Sequence, residues 1–243
     1  MKTHQIFCLF VILCRILTLT STPPYIADEN ITINYGSSGI SRANNECDWI
    51  GDIGTKFAPT EEPNHKCNTS TAKIHGTSDA VPYMTVRLSN WQFTYVVPIT
   101  PGPKFVRLYF YSASYSGFER SKDFFTVKAG SFTLLANFSA SILANSLGHN
   151  NIYKEFCINV EKSQKLNLTF IPFSSNYYAF INGIEIVSIP EDLYYRPHSV
   201  ANGEELVPLY VGQAPQFYIN DSMALKMVYR LNVGGSSISP TRF

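Results

Sequence analysis

The residues of this chain that can support binding chemistry are two cations and several aromatic rings in regions without a strand pattern. Arg120 and Lys122 flank a predicted turn, where their charges can meet the carboxylates of an acidic polysaccharide. Aromatic rings stack on sugar faces, and the main loop candidates are Tyr115, Trp49 and Tyr83. We therefore predict a carbohydrate-binding surface from these residues. The alternative for each is an ordinary solvated charge or a ring packed in the core. Four further loop residues are candidates for the same surface: Tyr177, Tyr178, Asp52 and Glu119.

The sequence contains no convincing catalytic motif of a glycosidase, a serine hydrolase or a protein kinase. The carboxylates show no spacing typical of the paired acids of a glycosidase. The segment Gly36–Gly39 reads Gly-Ser-Ser-Gly and does not match the G-x-S-x-G nucleophile motif of hydrolases. The glycine-rich loop, HRD motif and DFG motif of a protein kinase do not occur in the 243 residues. The sequence thus predicts a binding protein, with no catalytic residue and no cofactor.

The cysteines allow several arrangements. Cys47, Cys67 and Cys157 follow the predicted signal peptide, which is an odd number for an oxidising compartment. Cys47 and Cys67 close a short loop and are the predicted disulfide, whereas Cys157 lies in an alternating run that favours a buried thiol. An intermolecular bridge is the alternative. A zinc site from Cys47, Cys67, His65 and His75 is disfavoured because the spacing matches no standard finger, so we predict no metal.

The N-terminus and the sequons predict a secreted glycoprotein. An apolar run, Ile6–Leu19, follows Lys2 and is too short to span a bilayer, so residues 1–21 are predicted to be a cleaved signal peptide. The net charge is +1 and charged residues make up 15% of the chain, without the basic stripe of a nucleic-acid binder. The predicted N-glycosylation sites are the five Asn-X-Ser/Thr sequons at Asn30, Asn68, Asn137, Asn167 and Asn220.

The elements that must position these residues are short strands. In Lys104–Tyr111, aromatic and β-branched residues alternate with a period of two, which is typical of a strand with one buried face. Similar runs recur at short intervals, with a short turn predicted near Ala140–Leu147, and this spacing predicts an all-β sandwich or jelly roll of two antiparallel sheets. Within Tyr178–Ile189, the pair Asn182-Gly183 predicts either a tight hairpin or a single strand with a bulge. Residues 49–80 are polar and predict a long surface loop.

An internal similarity predicts the domain organisation. Residues Ile33–Ser41 align without gaps with Leu231–Ser239, and this wide separation suits a duplicated domain. We predict a first domain at 28–190, a linker at 191–227 with a strand at Leu206–Val211, and the truncated start of a second domain at 228–243.

Several sequence words resemble one known family. They are Asp48–Asp52, Val81–Met84, Lys154–Cys157, Ala179–Glu185 and Val228–Gly235, and they cover most of the chain in the family's order. The chain resembles the malectin-like ectodomain of plant receptor-like kinases of the FERONIA type. The resemblance implies a malectin-like β-sandwich in the first domain. Many members carry Cys in the opening strand motif where this chain has Tyr35.

The resemblance also implies a function. It identifies an extracellular ligand-recognition module that binds cell-wall carbohydrate such as pectin, or signalling partners. The partners implied are rapid alkalinisation factor peptides and LORELEI-like GPI-anchored proteins. The expected location is extracellular, or the plasma membrane if the chain is part of a full-length receptor, whose cytosolic Ser/Thr kinase domain this sequence does not contain. The alternative is a truncated fragment or decoy without independent activity.

Overall fold

A computed structural model describes residues 25–61, 64–72, 80–160, 165–191 and 193–195, with short pieces at 200–201, 204–205, 219, 221–229, 231 and 233. Several predictions concern residues outside these ranges and remain predictions. They are the signal peptide at 1–21, the strand at Leu206–Val211, the sequon at Asn220 and most of the segment 228–243.

The described chain is built from short strands and one α-helix. The helix is α1 (Ala140–Leu147), and a 3-10 turn lies at Arg120–Lys122. The strands are β1 (Asn30–Asn34), β2 (Ile40–Arg42), β3 (Asp48–Gly51), β4 (Asn68–Thr71), β5 (Thr85–Ser89), β6 (Phe93–Pro98), β7 (Gly102–Tyr111), β8 (Phe124–Ala129), β9 (Phe132–Ser139), β10 (Asn151–Val160), β11 (Lys165–Pro172), β12 (Ala179–Ile181), β13 (Gly183–Ser188), β14 (Val200–Ala201), β15 (Glu204–Glu205) and β16 (Leu225–Lys226). The predicted all-β class is confirmed.

The strands form two layers. One layer is a seven-stranded sheet with the order β16-β10-β7-β13-β1-β3-β2, in which the β1–β3 pair is parallel and the others are antiparallel. The opposite layer consists of a four-stranded sheet, β6-β11-β8-β9, and a three-stranded sheet, β12-β5-β4. The predicted second sheet is therefore divided in two. A small separate pair joins β14 and β15.

The core lies between the layers and is rich in phenylalanine. Phe110 of β7 contacts three rings of the opposite layer, with centroid distances of 5.8 Å to Phe125, 5.1 Å to Phe138 and 5.6 Å to Phe180. All four rings are buried. Full burial of one such side chain stabilises a fold by about 1.5–3 kcal/mol. In the sequence, this packing is indicated by the alternation of buried and less buried residues along β7.

The Asn182-Gly183 pair is not a hairpin turn. The preceding strand β12 pairs with β5, whereas β13 pairs with β1 and β7, so the chain passes from one layer to the other at Asn182. The glycine serves close packing, because a Cβ atom at Gly183 would lie 2.6 Å from the Pro82 side chain and 2.9 Å from that of Trp49. Both alternatives, the tight hairpin and the single bulged strand, were therefore wrong, because the two halves of the segment pair with strands of different sheets.

Two polar segments contain more structure than their composition predicts. The predicted loop at 49–80 contains most of β3 and all of β4, which are short strands with many exposed residues. The predicted linker at 191–227 contributes β16, which pairs with β10 at the edge of the large sheet. The Tyr195 hydroxyl donates to the carbonyl oxygen of Cys157 or Met223, at 2.8 Å from each. This part of the predicted linker is therefore packed against the sandwich.

Candidate functional site

The connection between β7 and β8 carries the predicted cations at one end of the sandwich. Tyr115 and Phe118 exchange backbone hydrogen bonds around Gly117, whose φ of +79° favours glycine. A 3-10 turn follows, in which the Lys122 N–H donates to the Glu119 carbonyl at 2.9 Å. The Lys122 carbonyl then accepts from Tyr178 N–H at 3.0 Å, so this turn is fixed to the segment before β12.

Arg120 is held by neutral partners. Its Nε donates to Ser112 Oγ at 2.8 Å, and its Nη2 donates to Asn145 Oδ1 at 2.9 Å. No carboxylate lies within salt-bridge distance of Arg120 among the residues that the structure describes. The guanidinium is therefore oriented by the protein while its charge stays uncompensated by a direct ion pair.

Arg107 on the central strand is a contrasting case. Its Nε donates to Glu155 Oε2 at 2.8 Å and its Nη1 donates to Glu185 Oε2 at 2.6 Å. Tyr109 also donates to Glu185, at 2.7 Å. Because two carboxylates already occupy this guanidinium, it is not available for an anionic ligand.

Asp123 joins the cation turn to helix α1. Its carboxylate accepts hydrogen bonds from Ser139 Oγ at 2.6 Å, Ser141 Oγ at 2.7 Å and Ser141 N–H at 2.7 Å. Burial raises the pKa of Asp123, and these hydrogen bonds together with the charge of Arg120 only partly oppose the change. The helix begins after Ser139, whose hydroxyl oxygen accepts from Ile142 N–H at 3.2 Å.

A pocket of about 490 Å³ opens between the cation turn and helix α1. Arg120 and Glu119 lie on one wall, Ile142 and Asn145 on the other, and Phe124 completes the lining together with serine hydroxyls. The pocket thus combines the oriented positive charge of Arg120, the carboxylate of Glu119, hydroxyl groups and apolar surface. This mixture suits a polar ligand that carries a carboxylate.

One exposed ring, Phe173, and two half-buried rings, Phe124 and Tyr177, continue from this pocket. Tyr177 packs edge-on against Phe124 and Phe173, with 5.5 Å between ring centroids in both pairs. Phe173 is 63% exposed, and its N–H donates to the Phe124 carbonyl at 2.9 Å. We call Arg120, Lys122, Phe124, Phe173 and Tyr177 the loop end.

The sequence profile of the malectin-like domain matches residues 36–243. The chain belongs to the malectin-like family.

The matching relatives are plant receptor-like kinases. Receptor-like protein kinase FERONIA of Arabidopsis thaliana is 41% identical over 237 residues, which is 96% of this chain and 25% of that protein. Receptor-like protein kinase ANXUR1 of the same plant is 33% identical over 86% of this chain and 23% of that protein. This malectin-like chain therefore spans about a quarter of the length of these curated relatives.

Solved structures confirm the fold. The crystal structure of the plant receptor-like kinase FER matches with a TM-score of 0.71 at 40% identity, covering 88% of this chain and 51% of that chain. The ANX1 ectodomain from Arabidopsis thaliana matches with a TM-score of 0.74 at 30% identity, covering 88% and 52%. A crystal structure of the plant peptide RALF23 in complex with FER and LLG2 matches with a TM-score of 0.69 at 39% identity, covering 89% and 52%.

The malectin-like fold separates the predicted site residues. Arg120 and Lys122 lie at the loop end, where Lys122 is exposed and 3.7 Å from Glu119. Trp49, Tyr83 and Tyr115 are buried, at 4%, 8% and 3% exposure. These three rings present no face to a sugar, which corrects their prediction as stacking residues.

The buried rings are held by contacts that the sequence does not display. Trp49 and Tyr83 pack edge-on against Tyr109, and the Tyr115 hydroxyl donates to the Tyr111 carbonyl at 2.6 Å. Two rings of the loop end, the half-buried Phe124 and the exposed Phe173, were missed. Phe173 lies between Pro172 and a run of serine and asparagine residues that is typical of a turn. This position in a turn is the sequence feature that could have indicated that Phe173 is exposed.

The three cysteines that the structure describes in this malectin-like chain, Cys47, Cys67 and Cys157, are free thiols. The predicted Cys47–Cys67 disulfide is absent, because Cys47 lies in the turn before β3 while Cys67 packs against the core beside β4 in the opposite layer. Cys157 is buried as predicted, and burial raises the pKa of its thiol to about 11.

The remaining site predictions concern glycans, metals and membranes. Four sequon asparagines are exposed, and their glycosylation stays a prediction: Asn30, Asn68, Asn137 and Asn167. Within the described ranges, no group of three or more His, Cys, Asp or Glu side chains is placed to hold a metal ion. No helix in that part of the chain is long and apolar enough to cross a bilayer.

Proposed function

We propose that this chain is an extracellular ligand-recognition module of a plant receptor-like kinase, and that its loop end binds acidic cell-wall carbohydrate such as de-esterified pectin. The observation that carries the proposal is Arg120. Its guanidinium is fixed by Ser112 and Asn145 without a direct ion pair to a described carboxylate, and it lines a pocket near the exposed ring of Phe173. The family relationship to receptor-like kinases supports the extracellular placement at the plasma membrane.

The chemistry of the loop end fits a polymer of uronic acids. The guanidinium of Arg120 can form charge-assisted hydrogen bonds with one carboxylate, and the ammonium of Lys122 can attract another. The rings of Phe173 and Tyr177 offer apolar faces for the sugar rings between these charges. Carbohydrate of this class has both features, a repeated carboxylate and a flat ring face.

The first test is retention on de-esterified pectin. The double variant Arg120→Ala, Lys122→Ala is expected to bind roughly two- to thirtyfold more weakly at low salt, since two charge contacts near the surface contribute about 0.2–1 kcal/mol each. Binding of the parent chain should also fall as salt rises, because exposed charges are screened over about 10 Å at 0.1 M. Affinity electrophoresis through pectin gels measures both effects.

A matched control removes two positive charges elsewhere. Arg42 and Lys56 are exposed and lie outside the loop end, so Arg42→Ala with Lys56→Ala should leave retention unchanged. Equal weakening by both pairs would show attraction by net charge alone. Failure of the parent chain to bind pectin or another wall glycan at any salt would reject the carbohydrate proposal.

A second candidate function is recognition of a peptide together with a co-receptor. It is supported by the complex of RALF23 with FER and LLG2, in which the FER chain has the fold of this protein. We expect surface plasmon resonance with immobilised chain to detect RALF23 peptide only when LLG2 is also present. Absence of that joint response would place the contacts in parts of FER beyond the portion matched here, and a response to either component alone would also contradict the expectation.

A further inference from the structure

A second groove lies along the other flank of helix α1. It has a volume of about 440 Å³ and runs between β9, the helix and the paired strands β10 and β16. Its aliphatic lining consists of Leu134, Leu135, Ile142 and Leu143, and its charged lining consists of Lys154 and Lys226. We call these six residues the lysine groove.

The two lysines come from neighbouring strands. Phe156 of β10 pairs with Lys226 of β16, so Lys154 is a diagonal neighbour of Lys226 on the same face of the sheet. Neither lysine forms a salt bridge with any carboxylate in the described part of the chain. Burial, and then the positive charge of Lys226, lowers the pKa of Lys154. Two like charges thus share one groove, and an anion between them would relieve their repulsion.

The aliphatic lining restricts the class of ligand. Ile142 is 58% exposed on the helix, and Leu134 and Leu135 lie beneath it at 7% and 5% exposure. Phe138, the aromatic member of the lining, is 9% exposed, so the open apolar surface of the groove belongs mainly to the aliphatic Ile142. An aliphatic floor under two ammonium groups fits an aliphatic side chain that has carboxylates beside it.

We propose that the lysine groove binds an acidic peptide segment of a partner protein. An aliphatic side chain of the peptide rests on Ile142 and Leu143, and the flanking carboxylates pair with Lys154 and Lys226. The site is distinct from the loop end, since it shares only Ile142 with the Arg120 pocket. It also depends on the segment after the sandwich, because Lys226 reaches the groove only when β16 pairs with β10.

The test uses three synthetic pentapeptides, acetylated and amidated, and the full secreted chain. Glu-Asp-Leu-Asp-Glu carries both the carboxylates and the aliphatic side chain. Gln-Asn-Leu-Asn-Gln lacks the negative charges, and Glu-Asp-Gly-Asp-Glu lacks the aliphatic side chain. Isothermal titration calorimetry is expected to give saturable binding of the first peptide, with a dissociation constant below about 1 mM. Each of the other two peptides is expected to bind at least roughly tenfold more weakly.

Variants locate the binding. Lys154→Gln with Lys226→Gln should weaken the first peptide at least roughly tenfold while the thermal midpoint is retained, whereas the control Lys56→Gln with Lys128→Gln should not. Asn137 lies on the lining, so both the secreted chain and its enzymatically deglycosylated form are titrated. No saturable binding to either form, or binding that persists in the lysine variant, overturns the proposal. Self-association of the parent chain that is lost in the lysine variant also overturns the proposal, because a second copy would then occupy the groove. Tighter binding of oligogalacturonate than of the first peptide at the lysine groove overturns it too, because the occupant would then be a carbohydrate.

Discussion

Replacing Asn182 with alanine is expected to destabilise this protein by roughly 3–5 kcal/mol. Asn182 is fully buried where the chain passes between the layers. Its Oδ1 accepts from Tyr111 N–H at 2.7 Å, and its Nδ2 lies 3.0 Å from the Tyr83 carbonyl and 2.8 Å from the Thr85 carbonyl. The substitution leaves these buried backbone groups without partners and opens a cavity among them.

Thermal unfolding measures this loss. For a chain of this size a change of 1 kcal/mol corresponds to about 2–4 °C, so the midpoint should fall by roughly 6–20 °C. The control is Asn90→Ala, because Asn90 is half-buried and donates one hydrogen bond, to the Tyr177 carbonyl at 2.9 Å. A loss of at most about 1.5 kcal/mol is expected there. Equal effects of the two substitutions would contradict the role assigned to Asn182.

Replacing Arg87 with methionine is expected to cost about 3–5 kcal/mol at neutral pH. Asp52 is fully buried and lies 2.8 Å from Arg87 Nη2 and 3.0 Å from Arg87 Nε. It also accepts from Gly36 N–H at 2.8 Å. Without Arg87 the carboxylate has no described cation beside it, and the buried phenol rings of Tyr35 and Tyr95 cannot replace that charge.

The pH dependence distinguishes this mechanism from a loss of packing. Burial raises the pKa of Asp52 above 3.8 even with Arg87 present, and removing Arg87 raises it further. A carboxyl group with a raised pKa in the folded state favours folding in acid, and that contribution is lost as pH rises through the folded pKa. The deficit of Arg87→Met relative to the parent should therefore be smallest at low pH and grow towards neutrality.

Urea unfolding at a series of pH values measures the deficit. Adding Asp52→Asn to Arg87→Met should recover much of the stability at neutral pH and remove its pH dependence, because no buried charge remains. Arg42→Met is the control, since Arg42 and Glu46 form an exposed pair at 3.9 Å, and it should change stability by less than about 0.5 kcal/mol. A deficit that is constant with pH would mean that lost packing dominates.

Much of the fold was readable from the sequence because strands with one buried face have a period of two. In β7 the buried residues Val106, Leu108 and Phe110 alternate with less buried ones, and the same pattern marks β8 and β11. Strands such as β4 and β16 were missed because they are short, polar and at sheet edges. Their existence depends on a neighbouring strand that supplies hydrogen bonds, which local composition does not encode.

The candidate site was only partly readable. The sequence by itself determined the family, the sandwich class and the presence of Arg120 and Lys122 in one turn, since these depend on local residue order. Only the tertiary structure decided that Trp49 and Tyr83 face inward, that Phe173 faces solvent, and that Lys154 and Lys226 share a groove. The direction of an aromatic ring in a loop is set by partners distant in sequence, and a pair of charges on different strands becomes a site only when the strands meet.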